Sequence, residues 1–276
     1  MSSYKNLFIT GASRGIGRAL ALAYAGPGVT LGICARELKH LKKVKIELEA
    51  KGATVYPYGV DVVNSALMEN SISTFLTKVK TIDLVIANAG AILALQDHLY
   101  STNELNSIID INVKGVINTT RPFFETMLEQ KKGQCVVVSS AAGYYGVPGG
   151  TYGASKAAVR ILMDSWRVRF HKTGIIFTTL NPGNVKTDMH KNSTFQPPFL
   201  VSAEKMAVLM KKAIQAKKRN VMLPRALGIG IRFTLMLPWR FQRMILRSVQ
   251  PKLDIQKVLS QKKTKKKRNN SKRPQD

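Results

Sequence analysis

The stretch NLFITGASRGIGRALALAYA, residues 6–25, decides how the rest of the chain is read. A short apolar run, Asn6 to Thr10, leads into three glycines, Gly11, Gly15 and Gly17, spaced G-x-x-x-G-x-G, and an amphipathic helical pattern starts inside that loop. Glycine lets a backbone turn tightly and approach a phosphate, and the free N–H groups and positive dipole end of a following helix favour an anion. The glycine spacing alone is weak, because a chain with 20 glycines produces it by accident. Its position after a strand and before a helix is what points to a dinucleotide, with Ser13, Arg14 and Ile16 as the other loop residues at the phosphates.

Outward from this stretch the same alternation repeats. Short apolar, β-branched runs occur at 29–34, 54–60, 83–90, 134–140 and 175–181, with a last one at 220–224. Segments of helical spacing separate them; Val159, Leu162, Met163, Trp166 and Phe170, for instance, fall on one face. Continuously apolar strands linked by helices read as βαβ units in a parallel sheet covered on both faces. The expected fold is α/β, a doubly wound parallel sheet of about seven strands, over residues 1–225. Ligands of such sheets bind beyond the carboxyl ends of the strands.

The 276 residues suffice for one domain of this type plus an appendage, and a hydrophobic content of 45% argues against wholesale disorder. Cys34 and Cys135 each edge an apolar run, as reduced thiols buried in strands would. The first ten residues lack a secretory apolar core, so the chain is expected in the cytoplasm. The formal net charge is +27, yet residues 1–200 account for only +9 and residues 201–276 for +18. That asymmetry assigns an anionic partner to the C-terminal part and not to the main fold.

The end of the second strand normally meets the adenosine ribose, where an acid would hold a 2′-hydroxyl and a cation a 2′-phosphate. Here Ala35 stands where the acid is expected, Arg36 follows, and Arg14 lies in the glycine loop. Two guanidiniums near one phosphate favour NADP(H).

At "TYGASKAAVR", residues 151–160, Tyr152 and Lys156 lie one helical turn apart. With 8 tyrosines and 28 lysines, about one such pair is expected by chance, so its neighbours carry the weight. Those neighbours are "TGASRGIG" (10–17), Asp61-Val62, "NAG" (Asn88, Ala89, Gly90), Asn112 in "INVKG", "VVVSSAAG" (136–143), "YGASK" (152–156) and "NPGNVKT" (181–187). In order and interval these resemble the short-chain dehydrogenases/reductases over residues 6–190, extending to about 223.

The resemblance implies a carbonyl–alcohol oxidoreductase. Tyr152 would be its acid/base and Lys156 the partner that eases ionisation of the phenol and holds the nicotinamide ribose. The small residues between them would let the cofactor lie close to the helix. Asn112 would hold a water that relays protons, and a serine after the fifth strand would bind the substrate carbonyl. Ser140 is favoured for that serine, although it stands 12 residues before Tyr152 where the family usually shows 13, which leaves Ser139 open. Asp61, Val62 and Asn88–Gly90 would border the cofactor. Pro182, Gly183, Val185 and Thr187 would hold the nicotinamide end, with residues 188–200 as a lid. Met189, Phe195, Pro197, Pro198 and Phe199 in that lid suggest an apolar carbonyl or alcohol substrate. The four histidines show no ligand spacing, and no metal is expected. Homo-oligomers are usual in the family. A different class of function is a catalytically idle dinucleotide sensor or scaffold on the same fold, against which the complete Ser/Tyr/Lys/Asn set argues.

Residues 226–249, ALGIGIRFTLMLPWRFQRMILRSV, depart from that pattern. The stretch is too short and too charged for a transmembrane helix, while its aromatic and aliphatic residues set against arginines suit a membrane interface. Residues 226–260 are read as an amphipathic segment, and 261–276, with eight cations and no acid across 262–273, as a disordered polybasic tail. Residues 226–273 are thus expected to meet an anionic membrane from the cytoplasmic side, with packing on the protein as the alternative. Nucleic acid is the weakest partner, for want of aromatic platforms among the tail's charges.

Overall fold

Successive residues of a strand point to opposite faces, so an unbroken apolar run is stable only where both faces are covered. The computed structural model, which describes residues 4–93, 100–146, 150–186 and 200–248, shows that arrangement. Seven strands, β1 (Asn6–Thr10), β2 (Thr30–Ala35), β3 (Thr54–Gly59), β4 (Leu84–Ala87), β5 (Gly133–Val138), β6 (Ile175–Pro182) and β9 (Asn220–Leu223), form one parallel sheet in the order β3-β2-β1-β4-β5-β6-β9. The fold is the doubly wound parallel sheet expected. Its order reverses between β1 and β4, and a crevice opens there at the carboxyl ends.

Leu7, Ile9, Leu31, Ile33, Leu84 and Ile86 face one side and pack under α1 (Gly15–Tyr24), α2 (Leu38–Glu49) and α8 (Ala203–Gln215). Phe8, Val85, Ala87, Cys135 and Val137 face the other, under α3 (Ser65–Val79), α5 (Gly115–Thr120), α6 (Phe124–Glu129) and α7 (Thr151–Arg169). Between β4 and α5 runs α4 (Thr102–Ile109), continued by a π-helical turn, Asp110–Lys114. Both cysteines are free and buried, and burial pushes both thiols up, Cys34 to about 12.

Phe8 is fully buried, its ring 5.3–5.8 Å from those of Phe123, Phe75 and Tyr58. Gly32 on β2 makes room for it, since a Cβ there would come within 2.4 Å of the Phe8 ring. Phe8→Ala should therefore lower the unfolding free energy by about 3–5 kcal/mol in a denaturant titration, and a loss below about 1 kcal/mol would contradict this packing.

Two features depart from the expected layout. A small parallel pair, β7 (Val185–Lys186) with β8 (Val201–Ser202), brings together the two ends of the segment expected as a lid. Two residues per strand are too few to leave a periodic signal. Of that segment, residues 187–199, including Thr187, Met189, Phe195 and Phe199, lie outside the described residues. The C-terminal segment, read only as amphipathic, contains two helices among its described residues: α9 (Arg225–Met236) and α10 (Trp239–Ser248). Pro238 disfavours helix at the residue before it, and Leu237 is extended, φ −76°, ψ 153°. The tail lies outside the described residues.

Candidate active site

The glycine loop is shaped by backbone demands. Gly11 and Gly15 have φ of +68° and +56°, a region that suits glycine. Gly17 answers to space instead: a Cβ there would lie 2.2 Å from the Gly11 carbonyl oxygen, so only glycine lets α1 approach the loop. Asn88 fastens β4 to the same loop, its Nδ2 donating to the carbonyls of Thr10 at 3.0 Å and Gly11 at 3.3 Å. The first turn of α1 holds no acidic residue, which leaves its positive end to attract an anion.

From this loop a cleft of about 910 Å³ runs along the carboxyl edge to Tyr152 and Lys156. Gly11, Ser13, Arg14, Gly15, Ile16, Arg36, Asp61, Val62, Asn88, Ala89, Gly90, Ser140, Tyr152, Lys156, Pro182, Gly183 and Val185 all line it. Gly17 and Asn112 lie behind its wall. Arg14 and Arg36 are exposed at one end, and that end also carries Arg18, Glu37, His40, Lys43 and Glu47, which the motifs did not mark. Both glutamates there have cations of their own: Glu47 pairs with Arg18, and Glu37 lies 2.9 Å from Lys39.

At the other end, Tyr152 sits in the first turn of α7 with Lys156 one turn on. Tyr152 borders the cleft and is half-buried, and burial raises its pKa; a hydrogen bond from Ser140 opposes that rise. Lys156 is 4% exposed, and burial lowers its pKa to about 8. Its Nζ donates to the Val138 carbonyl at 2.9 Å and stands 5.9 Å from the Tyr152 ring centroid. Burial is the larger influence on the Tyr152 phenol, and Ser140 the side chain that opposes it.

The two serines have different surroundings. Ser139 Oγ donates to the Lys156 carbonyl at 2.8 Å, which uses it to hold β5 against α7. Ser140 Oγ accepts from Ala142 N at 3.1 Å and bonds Tyr152 at the cleft. Asn112 is fully buried in the π turn: its Oδ1 accepts from Ala91 N at 2.8 Å, and its Nδ2 donates to Ala91 O and Ser155 Oγ, each at 2.9 Å. Ser155 in turn donates to the Tyr152 carbonyl at 2.7 Å. Ser155 thus ties α7 to the π turn. Gly90 fits between them, since a Cβ there would lie 3.1 Å from Asn112 Oδ1 and 3.2 Å from Lys156 Nζ. Gly143 was not singled out either, though a Cβ there would come within 2.8 Å of the Lys156 backbone.

A parallel sheet with a phosphate-shaped loop at its switch point and a Ser/Tyr/Lys group lining the far end of the same cleft defines a nucleotide-binding oxidoreductase. Comparison with known proteins narrows the class. The short chain dehydrogenase family profile matches residues 5–197. An uncharacterized oxidoreductase of Myxococcus xanthus is 35% identical over 237 residues, 86% of this chain and 94% of the relative. Among solved structures, an alcohol dehydrogenase from Thermococcus sibiricus complexed with 5-hydroxy-NADP is 28% identical, with a TM-score of 0.71 over 79% of this chain and 95% of that one. A 3-oxoacyl-[acyl-carrier protein] reductase from Brucella melitensis with bound NAD is 25% identical, with a TM-score of 0.70 over 79% and 89%. The chain belongs to the short-chain dehydrogenase family, and it is an oxidoreductase of that type.

Proposed function

We propose that the chain is an NADP(H)-dependent oxidoreductase interconverting an apolar ketone or aldehyde with its alcohol. The observation that carries the chemistry is Tyr152 at the cleft, bonded by Ser140, with a buried lysine one turn away. The cleft suits a dinucleotide: the glycine loop and the free end of α1 would hold the pyrophosphate, and Lys156 and Gly90 the nicotinamide end. When bound, the dinucleotide would supply or accept the hydride. In reduction, Ser140 and Tyr152 orient the carbonyl oxygen, and Tyr152 gives its proton to that oxygen as the carbonyl carbon gains hydride. The phenolate left behind regains a proton through Lys156, whose pKa near 8 suits exchange close to neutral pH. Beyond this group the wall carries Ala91, Ile92 and Ile111, which supports an apolar substrate.

Preference for NADP(H) rests on Arg14 and Arg36 beside Ala35, with Glu37 and Glu47 engaged by other cations. NADPH should bind at least about tenfold more tightly than NADH in a fluorescence titration, and Arg36→Asp should reverse the order. Equal binding of the two by the unaltered protein would defeat this assignment.

A further inference from the structure

The C-terminal helices carry an apolar surface that the site does not use. α9 buries Gly228 and Ile231 against the body and turns Ile229, Phe233 and Met236 outward, at 72%, 65% and 83% exposure. These three fall at i, i+4 and i+7, on one stripe of the helix. α10 adds Trp239, Phe241 and Met244, each more than half exposed. Gln242 Nε2 holds α10 to α9, donating to the Leu237 carbonyl at 2.7 Å and to the Leu235 carbonyl at 3.3 Å. So many large apolar side chains left exposed on two successive helices mark an interaction surface.

Charge decides the partner. Between Glu204 and Asp254 the chain has no acidic residue, while 225–248 holds five arginines. Arg225 and Arg232 flank the α9 stripe, and Arg240 and Arg243 stand among the apolar residues of α10. A second copy of this chain would bring two faces of the same sign together, at a cost. An anionic bilayer complements both features: aliphatic and aromatic side chains enter the boundary between headgroups and acyl chains while arginines reach lipid phosphates. Residues 249–276 continue the same sign, with ten Lys and Arg against two Asp. No helix among the described residues is long and apolar enough to cross a membrane.

We propose that α9 and α10 form a docking surface for an anionic membrane. The surface starts at the edge that bears the site, because β9 is parallel to its neighbours and α9 begins where it ends. Leu227 of α9 packs on Gly183, a wall residue of the cleft, where a Cβ would come within 2.3 Å. Docking would hold the carboxyl edge of the sheet close to the bilayer.

Flotation of the full chain with vesicles tests this. The protein should rise with vesicles of phosphatidylcholine and phosphatidylserine and not with phosphatidylcholine alone. Phe233→Glu with Trp239→Glu, and separately Arg240→Glu with Arg243→Glu, should cut the bound fraction by about tenfold or more. All four positions are exposed, and circular dichroism melting checks that the variants stay folded. No flotation of the unaltered chain overturns the proposal, as does undiminished flotation of both variants, which would give the binding to the tail alone. Loss of a dimer in light scattering for Phe233→Glu with Trp239→Glu, without vesicle binding by the parent, would assign the face to a second copy and also overturn it. None of these outcomes bears on the oxidoreductase chemistry.

Discussion

Tyr152→Phe should lower kcat for carbonyl reduction by about 10³-fold while leaving the affinity for NADPH within about twofold. The substitution keeps the ring that borders the cleft and removes only the hydroxyl, so packing and cofactor contacts stay while the proton donor goes. No other hydroxyl takes its place. Ser140 accepts from Ala142 N and has an ordinary alcohol's acidity, and Ser139 is held by the Lys156 carbonyl. Single-turnover reduction with pre-bound NADPH, over a panel of apolar ketones and aldehydes, separates chemistry from binding. Turnover within about tenfold of the parent would remove Tyr152 as the acid. NADPH binding with no turnover of any carbonyl by the parent would favour a sensor over an enzyme.

Lys156→Met should abolish most activity and yet stabilise the cofactor-free protein near pH 7. The physical reason is burial. The folded-state pKa of Lys156 is about 8, below the ordinary 10.5. Below pH 8 the folded protein must keep a desolvated charge that the unfolded chain hydrates freely, so the cost is fully present there. It fades as pH rises from 8 to 10.5, where the unfolded lysine also loses its proton. The full cost is about 3 kcal/mol. Methionine removes it but leaves the Val138 carbonyl without its donor, a loss of about 1 kcal/mol. The net gain of about 2 kcal/mol at pH 7 should appear as a Tm rise of about 5 °C, shrinking and then reversing toward pH 10.5. A variant less stable than its parent at pH 7 would show that the hydrogen bond and packing of Lys156 outweigh the cost of burying its charge.

Much of the site was legible because its signals are local. Gly11 and Gly15 need positive φ, and Tyr152 and Lys156 share a helix face through a four-residue interval. The arginines at 14 and 36 could be placed by strand and loop alone. Other partners could not be found this way. Asn112 reaches Ala91 across 21 residues and Ser155 across 43, and Lys156 meets the Val138 carbonyl across 18. Backbone carbonyls carry no sequence signature, so that lysine's hydrogen bond left no trace in the residue pattern. Burial left no trace either: interval gives proximity but not desolvation, and burial is the largest cause of the shift at both Tyr152 and Lys156.

The sequence by itself determined the parallel sheet, the phosphate loop and the pairing of phenol with amine, since each follows from periodicity, backbone freedom or helical spacing over a few residues. Only the tertiary structure decided which serine faces the phenol, that Ser155 braces α7, and that the C-terminal stretch folds as two helices with an outward apolar stripe. Those outcomes depend on which surfaces remain once distant elements have packed, and desolvation is a property of that assembled environment.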